Sequence, residues 1–317
     1  MSLKTLDNTP TITLPTPKPR VLITGATGFI GRHLVRSLQG NCSNITVLTR
    51  NATRAQKILG GDLRCIETLD AIASSPFDIV INLAGESLAE GRWNTKKKQR
   101  CIASRVDTTN ALMRFIEQQS YKPSLLINGS AVGYYGTDIC DEVDESYQPR
   151  IADYPQMLCH QWEQAAAEAS NFGLRVVMLR IGVVLGEGGA LAKMYPPFRL
   201  GLGGVIGSGE QWVSWIHMHD LMACIDHIIR DDSIVGPFNA TAPAPITNRA
   251  LTEALSKVLK RPARLPMPAL IARVLFGEMA NDLLLKGQRV LPAKAVDCGI
   301  DFQYPTITSA LSHIIRV

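Results

Sequence analysis

Val21-Leu22-Ile23-Thr24-Gly25-Ala26-Thr27-Gly28-Phe29-Ile30-Gly31 is the stretch that decides the fold. It opens with a short aliphatic run that stops at Gly25 and leads into Ile30 to Gln39, where Ile30, Leu34, Val35 and Leu38 recur at helical spacing on one face. Strand, glycine turn and helix in that order make a seat for a phosphate. Glycines let the backbone approach closely, and the free N–H groups of a helix N-terminus carry partial positive charge. Glycines alone are a weak signal; between a strand and a helix they are a strong one. The alternative is a tight turn that packs helix on strand and holds no ligand.

Outward from this loop, strands are expected at Ile45 to Thr49, near Leu63–Ile66, at Asp78 to Asn82, Ser124 to Asn128 and Arg175 to Ile181. Helices are expected at Thr95 to Gln119 and Pro155 to Ala169. Apolar strands alternating with helices indicate a parallel sheet covered on both faces. The fold class is therefore α/β, a Rossmann-type doubly wound parallel sheet with a smaller C-terminal α/β lobe. The division expected is a flexible leader over 1–19, a nucleotide-binding domain over 20–185 with segments returning from 210–245, and a smaller substrate lobe over 186–317. Helices near Asp220–Arg230, Asn248–Leu259 and Ala269–Phe276 belong to the second half, and Pro237–Asn239 is placed to return to the sheet.

The chain has 317 residues, 46% hydrophobic and 19% charged, enough to bury a large core and too apolar for a disordered chain. No apolar run reaches the roughly 20 residues of a membrane helix. A net charge of +5 is too mild to imply nucleic acid. The first nineteen residues, with Pro10, Pro15, Pro17 and Pro19, have no apolar signal segment and are read as adding nothing to the core. Seven scattered cysteines, an odd number with no Cys-x-x-Cys, suit a reducing compartment, and the cytoplasm is expected.

The second strand ends Val47-Leu48-Thr49-Arg50, with no acid until Asp62. NAD sites place Asp or Glu there to accept from the ribose hydroxyls, whereas the planar fork of an arginine suits a 2′-phosphate. Arg50 therefore points to NADP(H), unless it is only a solvated surface arginine.

With Asn82-Leu83-Ala84-Gly85, Gly129-Ser130, Tyr135-Gly136 and Trp215-Ile216-His217-Met218-His219-Asp220, the chain resembles an extended short-chain dehydrogenase/reductase. More narrowly, it resembles the atypical, sugar-epimerase-like group often called epimerase family proteins or the SDR39U1-like group. The residues carrying that resemblance include Asn-Leu-Ala-Gly-Glu at 82–86, Arg92-Trp93, Ser104-Arg105, Gly133-Tyr134-Tyr135-Gly136, Trp162-Glu163, Ile206-Gly207-Ser208-Gly209 and Gly287-Gln288-Arg289-Val290-Leu291-Pro292. The resemblance implies an NADP-binding domain followed by a C-terminal domain of unknown function. The cofactor-binding residues expected are Gly25, Thr27, Gly28, Phe29, Ile30, Gly31, Thr49, Arg50, Leu83, Ala84, Gly85, Arg105 and Val184.

The resemblance also implies a Tyr and a Lys four residues apart on one helix, the ammonium lowering a phenol pKa of about 10. Aligned on Glu163, these positions fall at Pro155 and Cys159, with Tyr154 one place off; no Tyr-x-x-x-Lys occurs anywhere. Tyr195 to Arg199 is the nearest form, and Pro196 and Pro197 argue against a helix there. Ser130 and Tyr134, at the end of the fifth strand, are the candidate acids, with Tyr135 beside them and a packing role as the alternative for each. Arg105 points with the apolar stripe of its helix. Its guanidinium needs an anion, which can be a cofactor phosphate, a substrate carboxylate or phosphate, or Glu86 in a purely structural pair.

Trp93 and Trp162 are read as pocket walls or core. His217 and His219 are not expected to bind metal, no other histidine being spaced to help. The basic run Arg92, Lys96, Lys97, Lys98 and Arg100 is read as a solvated face or an anion funnel. The glycines from Gly201 to Gly209 are read as a lid facing an anionic substrate or a plain hairpin. The function expected is an NADP(H)-dependent oxidoreductase or nucleotide-sugar-epimerase-like enzyme. Its substrate would be a small anionic or sugar-like molecule, with no nucleic-acid or membrane partner, as a monomer or homodimer. The rival is a non-catalytic NADP(H)-binding regulatory or structural protein.

Overall fold

The computed structural model describes residues 10–42, 44–73, 75–137 and 141–315. Its centre is a seven-stranded sheet, every pairing parallel, formed by β1 (Arg20–Thr24), β2 (Asn44–Leu48), β3 (Arg64–Ile66), β4 (Ile79–Asn82), β5 (Leu125–Ala131), β7 (Arg175–Ile181) and β11 (Gly236–Ala240). The spatial order is β11-β7-β5-β4-β1-β2-β3. The chain order reverses beside β1, and the crevice over the strand C-termini there is where open parallel sheets bind ligands.

Side chains alternate across the sheet as strand geometry requires. Val21, Ile23, Ile79, Ile81, Ile127 and Leu179 pack with α1 (Phe29–Leu38) and α6 (Met218–Arg230) on one face. Leu22, Val80, Leu126, Val176 and Met178 pack with α3 (Thr95–Gln118) on the other, and α4 (Tyr154–Ala167) lies beside α3. The crossover between β2 and β3 holds α2 (Ala52–Leu59), where the sequence alone suggests no helix; its only buried residue is Ala55, so the apolar stripe is thin. β5 runs past its expected end at Asn128, because Gly129, Ser130 and Ala131 keep pairing with β7 although they do not continue the aliphatic run. Pro237 lies in β11, at the edge of the sheet, where a missing N–H is tolerated.

Three small two-stranded pairs lie outside the main sheet: β6 (Glu142–Val143) with β13 (Arg289–Val290), β8 (Val183–Leu185) with β10 (Trp215–His217), and β9 (Trp212–Val213) with β12 (Ile246–Thr247). Around them pack α5 (Gly189–Arg199), α7 (Asn248–Leu259) and α11 (Ile307–Ile314), sharing a core of Leu191, Phe198, Trp215, Leu255 and Leu311. α8 (Ala269–Phe276), α9 (Glu278–Leu283) and α10 (Ala293–Asp297) complete the chain.

Three expectations are corrected. Residues 1–9 of the leader lie outside the described residues, but Ile12 is fully buried in the core, its N–H donating to the Ser37 carbonyl at 3.0 Å. The segment Tyr195–Arg199 is helical despite its prolines. Pro196 and Pro197 sit on the exposed side of α5, while Leu191, Tyr195 and Phe198 are buried, so packing holds the turn that the missing N–H groups weaken. The Gly201–Gly209 run, read as a lid or a hairpin, does not fold back on itself but pairs with another segment. The N–H of Gly207 donates to Met267, that of Ile206 to the Asn248 side chain, and Leu265 donates to Gly203, so the run lies paired along the 263–267 segment.

Candidate functional site

The glycine loop leaves β1 with Gly25 at φ +71°, where a Cβ would lie 2.3 Å from the Leu83 carbonyl oxygen. A Cβ on Gly31 would lie 2.4 Å from the Gly25 oxygen. Strand β4, the loop and α1 are thus packed backbone to backbone. The Gly28 N–H closes the turn onto Gly25 at 3.0 Å. No side chain caps α1 and its first turn has no acid, so its leading N–H groups face outward with no carboxylate to neutralise them. Thr27 is half-buried and Gly28 exposed at this mouth. The Phe29 ring is committed to packing. Gly186, Gly188 and Gly189 lie against it so closely that a Cβ on any of them would come within 3.0 Å of the ring. Val184 lies in β8 just before those glycines, paired with Ile216.

Beneath the loop a buried polar chain ties the strand ends together. Thr24 donates to Asn82 Oδ1 at 2.6 Å and accepts from the Ala84 N–H. The Asn82 amide donates to Asn128 and to Thr109. Thr109 also accepts from the Trp162 indole and donates to the Arg105 carbonyl. These bonds fix Leu83-Ala84-Gly85 between β1 and α3. Sequence reasoning missed this chain; the signal was polar residues (Thr24, Asn82, Asn128) ending three apolar strands.

Arg105 lies against Gly85, its guanidinium carbon 2.7 Å from where a Gly85 Cβ would be, and 5.1 Å from the Trp162 ring centroid. Burial lowers its pKa. Its Nη1 donates to the carbonyls of Glu86 and Cys101, both at 3.1 Å. The structural pair with the Glu86 carboxylate is not formed, because that carboxylate takes Lys97 at 2.8 Å and Arg100 at 3.1 Å instead. Among the described residues Arg105 has no ion-pair partner. The basic run is likewise not a plain solvated face: Lys97 is buried, and Lys98 pairs with Glu278.

Thr49 donates its N–H to Ile66, and Arg50 is exposed at the turn into α2. Asn51 caps that helix by accepting from the Arg54 N–H, and Glu67 at the end of β3 accepts from the Ala52 N–H.

At the end of β5 the candidate acids meet a second network. Ser130 is 4% exposed, and its hydroxyl donates to Glu163 at 2.6 Å. Arg180 grips the same carboxylate with Nε and Nη2, both at 2.9 Å. Burial opposes the Arg180 charge, but Glu163 outweighs it and raises the pKa. The third guanidinium nitrogen donates to the Tyr135 hydroxyl, which donates to Asn239; burial pushes that phenol up to about 12. Tyr134 lies flat under Arg180, with 3.4 Å from the guanidinium carbon to its ring centroid. The Tyr134 hydroxyl has no protein hydrogen bond among the described residues. Arg180 and Glu163 as a buried pair were not foreseen; an arginine inside the apolar run Arg175–Ile181 was the available sign.

Where the resemblance implies a lysine, the buried Cys159 thiol is pushed up to about 12 by desolvation. Tyr154 donates to the Lys98 carbonyl at 3.1 Å and packs edge-on against Trp93, and burial raises its pKa. Neither residue replaces the missing pair. His217 and His219 serve the scaffold. His217 accepts from the His219 N–H, capping α6, and meets His313 at 3.2 Å, a partner the sequence spacing did not suggest. Asp220 accepts from the Gln303 and Tyr304 N–H groups.

Comparison with known proteins agrees with this geometry. Residues 21–240 match the NAD dependent epimerase/dehydratase family, and residues 267–314 match a domain of unknown function, DUF1731. Epimerase family protein YfhF of Bacillus subtilis is 37% identical over 300 residues, spanning 93% of this chain and 97% of its own. The chloroplastic SDR39U1 homolog of Arabidopsis thaliana is 39% identical over 306 residues, spanning 93% and 86%. The crystal structure of human epimerase family protein SDR39U1 (isoform 2) with NADPH superposes with a TM-score of 0.83 at 33% identity, covering 93% of this chain and 98% of that one. The chain belongs to the NAD dependent epimerase/dehydratase family, with a C-terminal DUF1731 segment.

Proposed function

We propose that this protein is an NADP(H)-binding oxidoreductase or nucleotide-sugar-epimerase-like enzyme of atypical short-chain dehydrogenase/reductase type. The observation that carries the reading is the uncapped, acid-free start of α1 beside a loop whose glycines leave no room for side chains. Such an end seats a pyrophosphate. Gly25, Thr27, Gly28, Phe29, Ile30 and Gly31 would line it, Phe29 through its backbone. Leu83, Ala84, Gly85 and Val184 would border the cofactor deeper in the crevice. Thr49 and Arg50 would take the 2′-phosphate, and the crystallised human relative with NADPH supports that choice. A nicotinamide cofactor supplies hydride exchange when bound.

Tyr134 is favoured over Ser130 as the acid. The Ser130 proton is already held by Glu163, whereas the Tyr134 hydroxyl is free to donate to a substrate oxygen. The Arg180 guanidinium, stacked on the ring, holds the phenol in place at the end of β5. Arg105, lacking a carboxylate of its own, suits a small anionic or sugar-like substrate. The free thiols support a cytoplasmic location. Among the described residues no helix is long and apolar enough to cross a membrane. A monomer or homodimer, with no nucleic-acid partner, completes the reading.

The buried thiol of Cys159 favours a second reading, an NADP(H)-binding protein without turnover that acts by regulation or structure. NADPH fluorescence decay across a carbonyl library separates the two. Turnover that falls in Tyr134→Phe supports the enzyme and its acid. Stoichiometric binding without turnover on any carbonyl supports the second reading.

A further inference from the structure

His227 and Asp231 converge with Cys298, which is distant in sequence, on one spot. One ligand atom from each lies within 4.8 Å of the others. His227 and Asp231 are one helical turn apart at the end of α6, with the imidazole Nε2 3.9 Å from Asp231 Oδ2. Asp231 caps α6, and Cys298 caps α10. The side chains of two helix C-caps therefore meet here, and the negative end of α6 favours a cation nearby.

The cations nearby are turned elsewhere. Arg175 bonds to Asp232 and to the carbonyls of Ile228 and Ile234. Lys294 donates to the Val235 carbonyl, and Arg230 pairs with Asp226. The Asp231 carboxylate is half-committed, its Oδ1 accepting from the Ser233 N–H and hydroxyl, which leaves Oδ2 toward His227.

We infer that His227, Asp231 and Cys298 form a zinc-type site linking α6 to α10. Sulfur, imidazole and one carboxylate oxygen are the donor set of a borderline-soft divalent ion, not of magnesium or calcium. Metal-to-ligand lengths of about 2.0 to 2.3 Å set tetrahedral donors roughly 3.3 to 3.8 Å apart; the His227–Asp231 separation of 3.9 Å is near that range, and all three donors lie within 4.8 Å of one another, so side-chain adjustment closes the site. Water takes the fourth position, since all three residues are only half-buried. The Cys298 thiol gives its proton to solvent as the metal binds. The ion would join the segment matching the epimerase family to the segment matching DUF1731.

The test uses the full-length, tag-free protein. Equilibrium dialysis against zinc is expected to show one ion per chain. Cobalt in its place should give a thiolate charge-transfer band, and zinc should raise the melting temperature. Cys298→Ser and His227→Ala should each lose more affinity than the roughly 10–100-fold that a lost outer partner costs. Both should also lose the melting shift, with unchanged circular dichroism, while Cys65→Ser keeps all three signals. No stoichiometric uptake by the wild type, or equal uptake by both variants, overturns the site.

Discussion

Glu163→Ala is the sharpest probe of the network that holds Tyr134. It deletes the acceptor of two Arg180 bonds and of the Ser130 hydroxyl. Arg180 is 3% exposed, so water cannot easily take the place of the carboxylate, and a guanidinium is too basic to shed its charge at neutral pH. Stranding one partner of a buried ion pair costs about 3–5 kcal/mol. An unsatisfied Ser130 hydroxyl adds about 1–3 kcal/mol if it finds no new acceptor. Against a total stability of about 5–15 kcal/mol, that is a large share. Arg180→Leu with Glu163→Leu removes both charges and should cost far less than the single change, since apolar replacement of a whole buried pair is often neutral. Urea unfolding at neutral pH of Glu163→Ala and of the double leucine variant measures both. If Glu163→Ala costs less than about 1 kcal/mol, the pair behaves like an exposed one and the reasoning fails.

Other consequences are equally direct. Ile12→Ala, at a fully buried position ahead of β1, should destabilise the protein by about 2–5 kcal/mol in the same assay, and no effect would mean that the segment does not dock. Burial lowers the His217 pKa from 6.5 to about 3, so it stays neutral when folded. The unfolded chain takes up that proton first, so stability should fall as pH drops from about 6.5 toward 3, and His217→Asn should flatten the fall in unfolding curves across that window. Arg50→Ala should weaken NADPH binding by about 10–100-fold in fluorescence titration, the worth of a charged hydrogen bond, and leave NADH binding unchanged.

The sheet was legible because β1, β4 and β7 are near-continuous apolar runs, as strands covered on both faces must be. The 3.6-residue stripe of α1 was equally plain. What escaped depends on contacts between distant segments. The polar end of β5 continues because β7 lies beside it, a fact local propensity does not carry. The proline-bearing turn of α5 survives because Tyr195 and Phe198 find a core. Ile12 reads as one apolar residue among prolines and threonines until Ser37 accepts its N–H. At the candidate site, the closely packed glycines of the β1–α1 loop were legible from the local sequence pattern alone. The Arg180–Glu163 pair and the Thr24–Asn82–Asn128 chain were not, since each joins separate strands or helices.

Titration of NADPH and NADH into the purified wild-type chain, beside Gly31→Val, is the most direct test of the glycine-loop reading. A side chain at that position meets the Gly25 carbonyl at 2.4 Å and must push α1 away from the loop. Saturable NADPH uptake, tighter than for NADH, is expected of the wild type, with its loss in Gly31→Val. No uptake of either nucleotide by the wild type, or undiminished NADPH affinity in the variant, would contradict it.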